Sequence, residues 1–225
     1  MAYERVASTM DEAHTLGADG APAGTLVIAD AQSAGRGRQG RAWSSEPGAG
    51  IWFTLVERPA DAAALEVLSI RAGLAIAPAL DAFAPARVRL KWPNDLYVSG
   101  RKLGGILIEA RWRGERLDWV AIGVGINLRA PPNEPGAIAL RDDVSRLDVL
   151  GAIVPRLRSA AAMAGSLTFD ERAMFEARDI ALGRRCVEPV AGRVAGIDAR
   201  GGLLVETVSG VVQARAGSLV FQEER

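Results

Sequence analysis

The alternation of apolar and polar residues divides the first 182 positions of this chain into strand-like and helix-like segments. Short apolar or alternating runs bounded by glycine and proline predict β-strands, and these fall at about residues 3–7, 25–29, 51–56, 88–90, 95–98, 102–113 and 117–128. Longer stretches rich in alanine and leucine predict helices, and these cover about residues 9–18, 60–83, 144–164 and 169–181. The pattern indicates an α+β domain.

The pattern changes after Gly183. Short β-branched stretches alternate there with glycine turns, at about residues 186–190, 193–197, 203–207, 211–214 and 218–221. Such regular spacing predicts a small antiparallel β-barrel. We therefore expect two domains, at residues 1–182 and 183–225.

Composition excludes several classes of function. The 225 residues contain 27 basic and 27 acidic side chains, so no global field attracts nucleic acid or an anionic membrane. The single cysteine, Cys186, excludes an internal disulfide framework and is typical of a reducing compartment. The chain shows no signal-peptide pattern and no apolar run of roughly 18 residues. We therefore expect a cytoplasmic protein, and the single histidine, His14, disfavours a histidine-based metal site or catalytic triad.

The distribution of lysine is uneven. Lys91 and Lys102 are the two lysines among the 27 basic residues, and they lie in one twelve-residue stretch. An ammonium is a compact point charge, whereas guanidinium is a broad planar fork. The pairing favours a functional site in this stretch.

Residues 35–40 match the pattern G-x-G-x-x-G after an apolar strand. A dinucleotide-binding fold would need a helix to begin at this loop, but residues 41–48 cannot form one. No glycine-lysine-Ser/Thr follows, which excludes a Walker A loop, and the motifs of a protein kinase are missing from the sequence. The loop nevertheless suits an anion, because Arg36, Arg38 and Arg41 carry donors matched to phosphate or carboxylate. We expect this loop to be mobile when empty and ordered by an anion, with Trp43 either stacking on a base or anchoring the loop.

Four segments together resemble the motifs of biotin protein ligases: residues 35–43, 91–96, 101–109 and 123–127, with Ser8-Thr9 near the start. The resemblance extends from residue 8 to residue 127. It implies a mixed β-sheet backed by helices, as in class II synthetase-like biotin and lipoate ligases, followed by an SH3-like barrel. It also implies an enzyme that uses ATP to convert biotin to biotinyl-5'-AMP. The biotin then passes to a lysine of a biotin carboxyl carrier protein, of acetyl-CoA carboxylase or another biotin-dependent carboxylase.

The same resemblance assigns roles to residues. It implies that Ser8, Thr9 and Gln32 bind the ureido head of biotin, and that Arg36, Gly37 and Arg38 lie over its carboxylate and the phosphate. Lys102 would reach the reacting oxygens, which makes Lys102, Arg38 and Asp95 the candidate catalytic residues. The candidate ATP and adenylate site consists of Gly35, Arg36, Arg38, Trp43, Lys91, Asn94, Gly123, Gly125 and Asn127.

Several alternatives stay open. Asp95 either assists deprotonation of the acceptor lysine or, with Asn94, fixes the turn after Pro93. Gly123, Gly125 and Asn127 either line the adenosine pocket or pack as strand residues. No protein side chain is expected to ligate a metal, because Mg²⁺ would arrive with ATP.

Two departures from the family pattern qualify the resemblance. Met10 stands where many relatives carry asparagine, which puts one polar contact to the biotin head in question. The DNA-binding members of the family carry a winged-helix domain before the Ser-Thr segment, and only seven residues precede Ser8, so we expect no DNA-binding activity. A lipoate or octanoate ligase of related fold, or a non-catalytic biotin sensor, are the competing functions. A monomer and a homodimer are both compatible with the sequence.

Overall fold

A seven-stranded sheet forms the centre of the computed structural model, which describes residues 1–222. In chain order its strands are β1 Ala2–Val6, β2 Thr25–Gln32, β3 Gly50–Glu57, β4 Arg89–Lys91, β5 Asp95–Val98, β6 Arg101–Arg113 and β7 Arg116–Asn127. Their lateral order is β1-β2-β3-β7-β6-β5-β4. The β1–β2 pair is parallel and the remaining pairs are antiparallel, so the sheet is mixed.

Helices cover both faces of this sheet. They are α1 Thr9–Ala18, α2 Leu68–Leu80, α3 Arg146–Ala161 and α4 Phe169–Glu176. Along β7, residues alternate between the two faces because side chains on a strand point to opposite sides. Val120 and Ile122 join the large core with α2 and α3. Trp119 and Ala121 join a smaller cluster that includes Met10 of α1.

The long helix predicted at residues 60–83 is wrong in its extent. A 3₁₀ turn, Ala62–Glu66, precedes α2, and the Asp61 carboxylate caps it by accepting a bond from the Ala63 N–H at 2.9 Å. Val67 then has φ −108° and ψ −2°, which interrupts the helical path before Leu68. The two later helices also end earlier than predicted, at Ala161 and Glu176.

The C-terminal segment forms a second, antiparallel sheet, as predicted. Its strands are β8 Arg185–Glu188, β9 Gly192–Ile197, β10 Leu203–Thr207, β11 Gly210–Ala214 and β12 Val220–Phe221, in the order β11-β10-β9-β8-β12. Its apolar residues Val194 and Leu203 belong to the large core. The Trp92 indole N–H donates to the Gly201 carbonyl at 2.9 Å, which fixes this sheet against the main one. The division into domains at residue 182 stays a prediction.

No helix within residues 1–222 has both the length and the apolar character needed to span a bilayer.

Candidate functional site

A pocket of about 350 Å³ opens on the α1 face of the main sheet. Fourteen of the fifteen residues proposed from the sequence line it: Ser8, Thr9, Gln32, Arg36, Gly37, Arg38, Trp43, Lys91, Asn94, Asp95, Lys102, Gly123, Gly125 and Asn127. The exception is Gly35, which is buried behind the residues that line the pocket. Its carbonyl accepts a bond from the Trp43 N–H at 2.8 Å. A Cβ there would approach the Trp43 carbonyl oxygen to 2.5 Å, so only glycine fits.

Glycines on β6 and β7 make the floor of the pocket. Gly105 and Gly125 are paired in the strand register, and the Trp43 indole lies on them. A Cβ on Gly125 would approach the indole to 2.8 Å, whereas one on Gly105 would stay 3.5 Å from it. Trp52 meets Trp43 edge-on, with ring centroids 6.3 Å apart. This packing supports an anchoring role for Trp43.

Lys102 and Asp95 form an ion pair inside the pocket. The Lys102 Nζ lies 2.7 Å from Asp95 Oδ1 and 5.2 Å from the centroid of the Trp43 ring. The Lys102 backbone is held on both sides, because its N–H donates to the Gly136 carbonyl at 2.7 Å and its carbonyl accepts from the Ile138 N–H at 2.9 Å. The ammonium group therefore projects from a backbone with a fixed position.

The amides of Asn94 and Asn127 have structural partners. Asn94 Nδ2 donates to the Ile106 carbonyl at 2.7 Å. Asn127 Nδ2 donates to the Ile138 carbonyl at 3.1 Å, which fixes the segment that also binds the Lys102 backbone. These bonds support the structural interpretation of Asn94, while Asp95 faces Lys102 and not the turn.

Positive charge accumulates on one side of the pocket. Burial lowers the pKa of the Lys91 ammonium; Asp95 raises it, and the nearby cation Lys102 lowers it further. Burial likewise lowers the pKa of Arg38, with Asp95 opposing the shift and Arg41 adding to it. Asp95 thus faces several cations, and a bound polyanion would relieve their mutual repulsion.

A polar corner lies at the opposite end. Gln32 Oε1 accepts bonds from the Thr9 N–H at 2.8 Å and the Thr9 hydroxyl at 3.1 Å. Its Nε2 donates to Ser45 Oγ at 2.8 Å. Ser8 Oγ caps α1 by accepting from the Met10 N–H at 3.2 Å. Ser45 belongs to this corner although the sequence did not suggest it.

Comparisons with known proteins point to one family. The model of the biotin/lipoate A/B protein ligase family matches residues 2–127. The chain belongs to this family. A Mycobacterium tuberculosis relative, a biotin–[acetyl-CoA-carboxylase] ligase, is 33% identical over 88% of this chain and 79% of its own length. The resemblance noted in the sequence is therefore confirmed.

Other members of the family match less of their own length or at lower identity. The bifunctional ligase/repressor BirA of Bacillus subtilis is 39% identical over 59% of this chain and 41% of its own length. The first five curated relatives are matched over 33–58% of their length. The solved biotin protein ligase of Aquifex aeolicus, in complex with biotin and ATP, has a TM-score of 0.81 and 26% identity, with coverage of 100% of this chain and 98% of that one.

The structure also assigns the apolar wall, which the family motifs do not reveal. Met10 and Leu107 belong to the smaller cluster on the α1 face, and both line the pocket. The Met10 side chain reaches Gly123, where a Cβ would approach its terminal methyl carbon to 2.7 Å. An apolar group therefore stands where the polar contact of an asparagine was in question.

Contacts that hold the glycine-arginine loop were missed as well. Arg36 Nη2 lies 2.6 Å from Asp11 Oδ1. Ser218, in the C-terminal segment, accepts a bond from Arg41 Nη2 at 3.3 Å and donates to Gln39 Oε1 at 3.2 Å. These partners are far apart in sequence and carry no motif, so no pattern in the chain marks them.

Proposed function

We propose that this chain is a biotin protein ligase. It activates biotin with ATP to biotinyl-5'-AMP and transfers the biotin to a lysine of a biotin carboxyl carrier protein, such as that of acetyl-CoA carboxylase. The proposal rests chiefly on one observation, the layout of the pocket. The Lys102–Asp95 ion pair lies at one end beside Lys91 and Arg38, the polar corner at Gln32 lies at the other end, and apolar side chains line the space between the two ends. The names of the relatives support it.

In the first step an oxygen of the biotin carboxylate attacks the α-phosphorus of ATP. A new oxygen–phosphorus bond forms, the bond to the bridging oxygen breaks, and pyrophosphate leaves. Both reactants are anionic, so their repulsion opposes the approach. Lys102 offsets it with a positive charge held ready at the point where charge develops. A carboxylate needs no deprotonation to attack, so Lys102 acts electrostatically and not as a base.

Arg36 and Arg38 contribute from the loop, since a guanidinium can bind phosphate through two parallel bonds. Mg²⁺ would arrive on the phosphates of ATP, where it neutralises charge. Within residues 1–222 no cluster of three or more His, Cys, Asp or Glu side chains is arranged to hold a metal. The donors that face the pocket's cationic side are ammonium and guanidinium groups, which suit phosphate oxygens.

In the second step a neutral lysine amine of the carrier attacks the carbonyl carbon of the mixed anhydride. An amide bond forms, the bond from the carbonyl carbon to the phosphate oxygen breaks, and AMP leaves. The amine must lose a proton, and the Asp95 carboxylate lies in the pocket to accept it. Holding the reactants in line contributes up to about 7–11 kcal/mol in favourable intramolecular systems.

The test of the reaction is direct. The protein is incubated with ATP, Mg²⁺ and either biotin or lipoate, and acyl-adenylates are identified by mass spectrometry. We expect biotinyl-5'-AMP and no lipoyl-AMP. Formation of lipoyl-AMP alone would assign the chain to the lipoate branch of the family, and formation of neither adenylate would overturn the proposal.

The role of Asp95 is tested with preformed biotinyl-5'-AMP and a carrier domain. Asp95→Asn should slow transfer more than it slows adenylation, and the transfer rate of the variant should keep rising with pH as the acceptor amine deprotonates in solution. A carrier with its acceptor lysine changed to arginine is the control. Equal losses in both steps would assign Asp95 to holding Lys102.

A further inference from the structure

Arg36 of the glycine-arginine loop lies beside two carboxylates, one on α1 and one on β6. Its Nη2 lies 2.6 Å from Asp11 Oδ1 on α1, and its Nη1 lies 3.8 Å from Glu109 Oε1 on β6. Asp11 and Glu109 are 98 positions apart in the chain, yet they meet at the rim of the pocket that Arg36 lines. We call these two carboxylates the rim pair.

The Glu109 carboxylate has a fixed position. His14 Nε2 bonds its Oε2 at 2.9 Å, and Arg111 Nη2 approaches the same oxygen to 3.5 Å. The Trp119 indole N–H donates to His14 Nδ1 at 3.2 Å, which leaves the ring proton on Nε2 to donate to Glu109. Burial lowers the pKa of His14, and this keeps the ring neutral in that arrangement at physiological pH.

The rim pair and a ligand anion would use the same donors. A guanidinium binds a phosphate or carboxylate best through two parallel N–H bonds, one fork to one anion. Both terminal nitrogens of Arg36 face the rim pair. Asp11 and an anion in the pocket therefore compete for the Nη2 donor of Arg36.

We propose that Asp11 and Glu109 form a resting dock for Arg36, and that the anionic ligand displaces them. The identity of that anion, the biotin carboxylate or the phosphates of ATP, rests on the proposed function. The dock keeps the loop folded against the sheet while the pocket is empty, and it competes with the ligand for one arginine.

The competition should weaken ligand binding, and by a small amount. The Asp11 and Arg36 side chains are 54% and 38% exposed, and an ion pair at such a site contributes little net free energy because solvent screens it. The exchange is therefore easily reversible. Because the proposed exchange gives up the Asp11 contact when the anion binds, its removal should tighten ligand binding. A contact that also persisted in the complex would do the opposite.

The test measures binding of ATP and of biotin, each alone, by calorimetry. Asp11→Asn should bind the anion that Arg36 contacts about two- to fivefold more tightly than wild type at low salt. The gain should shrink at high salt, where exposed pairs are screened. Without ligand, trypsin should cleave at residues 36–41 faster in the variant than in wild type.

Two controls separate the dock from a general change of charge. Glu12→Gln removes the same charge one residue away on α1, and Glu12 forms no ion pair within the described chain. It should change affinity less than Asp11→Asn does. In an Arg36→Gln background, Asp11→Asn should have no effect beyond that of Glu12→Gln, because a double-mutant cycle removes terms that do not involve Arg36.

The outcomes are distinct. Equal or weaker binding by Asp11→Asn, or unchanged proteolysis of its empty form, would overturn the dock. Wild-type protein that binds neither ATP nor biotin would overturn the proposed function instead. In that case the proteolysis of the ligand-free proteins would still decide whether Asp11 holds the loop.

Discussion

The floor and the roof of the pocket are built in different ways. The floor is formed by β6 and β7, which are paired along ten register positions that join Gly104–Arg113 to Arg116–Ile126. The roof is the loop at residues 34–43, which is held by side-chain bonds of Arg36, Arg38 and Arg41 to Asp11, Asn94 and Ser218. Backbone pairing is cooperative, whereas isolated side-chain bonds at a partly exposed site each contribute little.

This difference separates two kinds of effect. Changes in the floor should alter the free energy of unfolding, the geometry of the site, or both. Changes in the roof should alter ligand binding and leave the free energy of unfolding nearly unchanged. The variants below test this division, beginning with the largest expected effect.

Lys102→Arg should lose most adenylation activity although the charge is retained. The ammonium fits between Asp95 and the Trp43 ring at 2.7 Å and 5.2 Å, respectively, and a planar guanidinium cannot occupy the same volume. Loss of such a preorganised charge costs about 2.7–4 kcal/mol in comparable sites, or roughly 10²–10³ in rate. Pyrophosphate release measures the rate, and a thermal melt should show a folded protein.

Lys91→Arg is the matched control, because it makes the same change on β4, at the edge of the same sheet. Lys91 packs its ammonium against the rings of Tyr97 and Phe221 at 5.5 and 5.3 Å, and an arginine also stacks well on aromatic faces. Its loss should be smaller than that of Lys102→Arg. Equal losses would remove the special role of Lys102.

A buried carboxyl beside β4, at the edge of the main sheet, should make stability depend on pH. Asp179 forms a bridge to Leu90 on β4, and burial raises its pKa from 3.8 to about 6, although the Ala181 N–H bond opposes the shift. The folded state then binds the proton more tightly than the unfolded state. Its contribution to stability falls as pH rises from about 4 to about 6, by on the order of 2–3 kcal/mol.

Urea unfolding of wild type and Asp179→Asn at several pH values isolates this contribution. The variant should lack the decrease and gain stability relative to wild type at pH 7. Asp81→Asn is a control of opposite sign: burial raises the pKa of Asp81, but bonds from Arg178 and the Val88 N–H outweigh it and the net pKa is lowered. Removing that carboxylate should destabilise the protein at pH 7. Parallel pH curves for wild type and Asp179→Asn would contradict the assignment.

Gly125→Ala tests the contact between floor and roof. The added methyl would lie 2.8 Å from the Trp43 indole, so the indole, which also packs against Trp52, would have to shift. Overpacking of this kind costs about 1–3 kcal/mol of stability. A shift of about 1 Å at the site can slow adenylation by about tenfold to a hundredfold.

Its partner in the register supplies the control. A methyl on Gly105 would lie 3.4 Å from Asp95 Oδ1 and 3.5 Å from the indole, which is ordinary van der Waals contact. Gly105→Ala should therefore be tolerated better in both stability and rate. If the two variants behaved alike, the indole would not lie where the paired glycines indicate.

The floor was also the part that the sequence predicted well. The strands β6 and β7 were located within one residue at each end, because glycine turns bound their apolar runs. The motifs brought fourteen of the fifteen candidates to one pocket. The helix at residues 60–83 was predicted too long, since composition does not reveal the cap at Asp61 or the dihedral angles of Val67.

The partners of the roof could not be predicted in this way. Arg36 and Asp11 are 25 positions apart, and Arg41 and Ser218 are 177 apart. Such contacts depend on how the elements pack in three dimensions. Ser218 lies outside the motifs, and Asp11, although it is in the first turn of α1 near Ser8-Thr9, has nothing in its local sequence that marks it as a partner of the loop. The charge of the loop indicated that it binds an anion. It did not indicate which protein groups hold the loop before the anion binds.

Ser218→Ala should have the smallest effect, and it tests the roof alone. The hydroxyl joins the C-terminal segment to Gln39 and Arg41 through bonds of 3.2 and 3.3 Å, and Gln39 has φ +56°, a conformation that non-glycine residues seldom adopt. Its loss should release the loop at a cost of about 1 kcal/mol or less. The KM for ATP should rise severalfold at most, with the melting temperature unchanged. Ser209→Ala is the control and should leave both quantities unchanged, because Ser209 lies in an exposed turn of the same sheet where its hydroxyl, among residues 1–222, bonds only Thr207. A fall in melting temperature for Ser218→Ala would mean that this bond stabilises the fold. A contact of the loop would then contribute to global stability as the strand pairs do, and the division between floor and roof would not hold for Ser218.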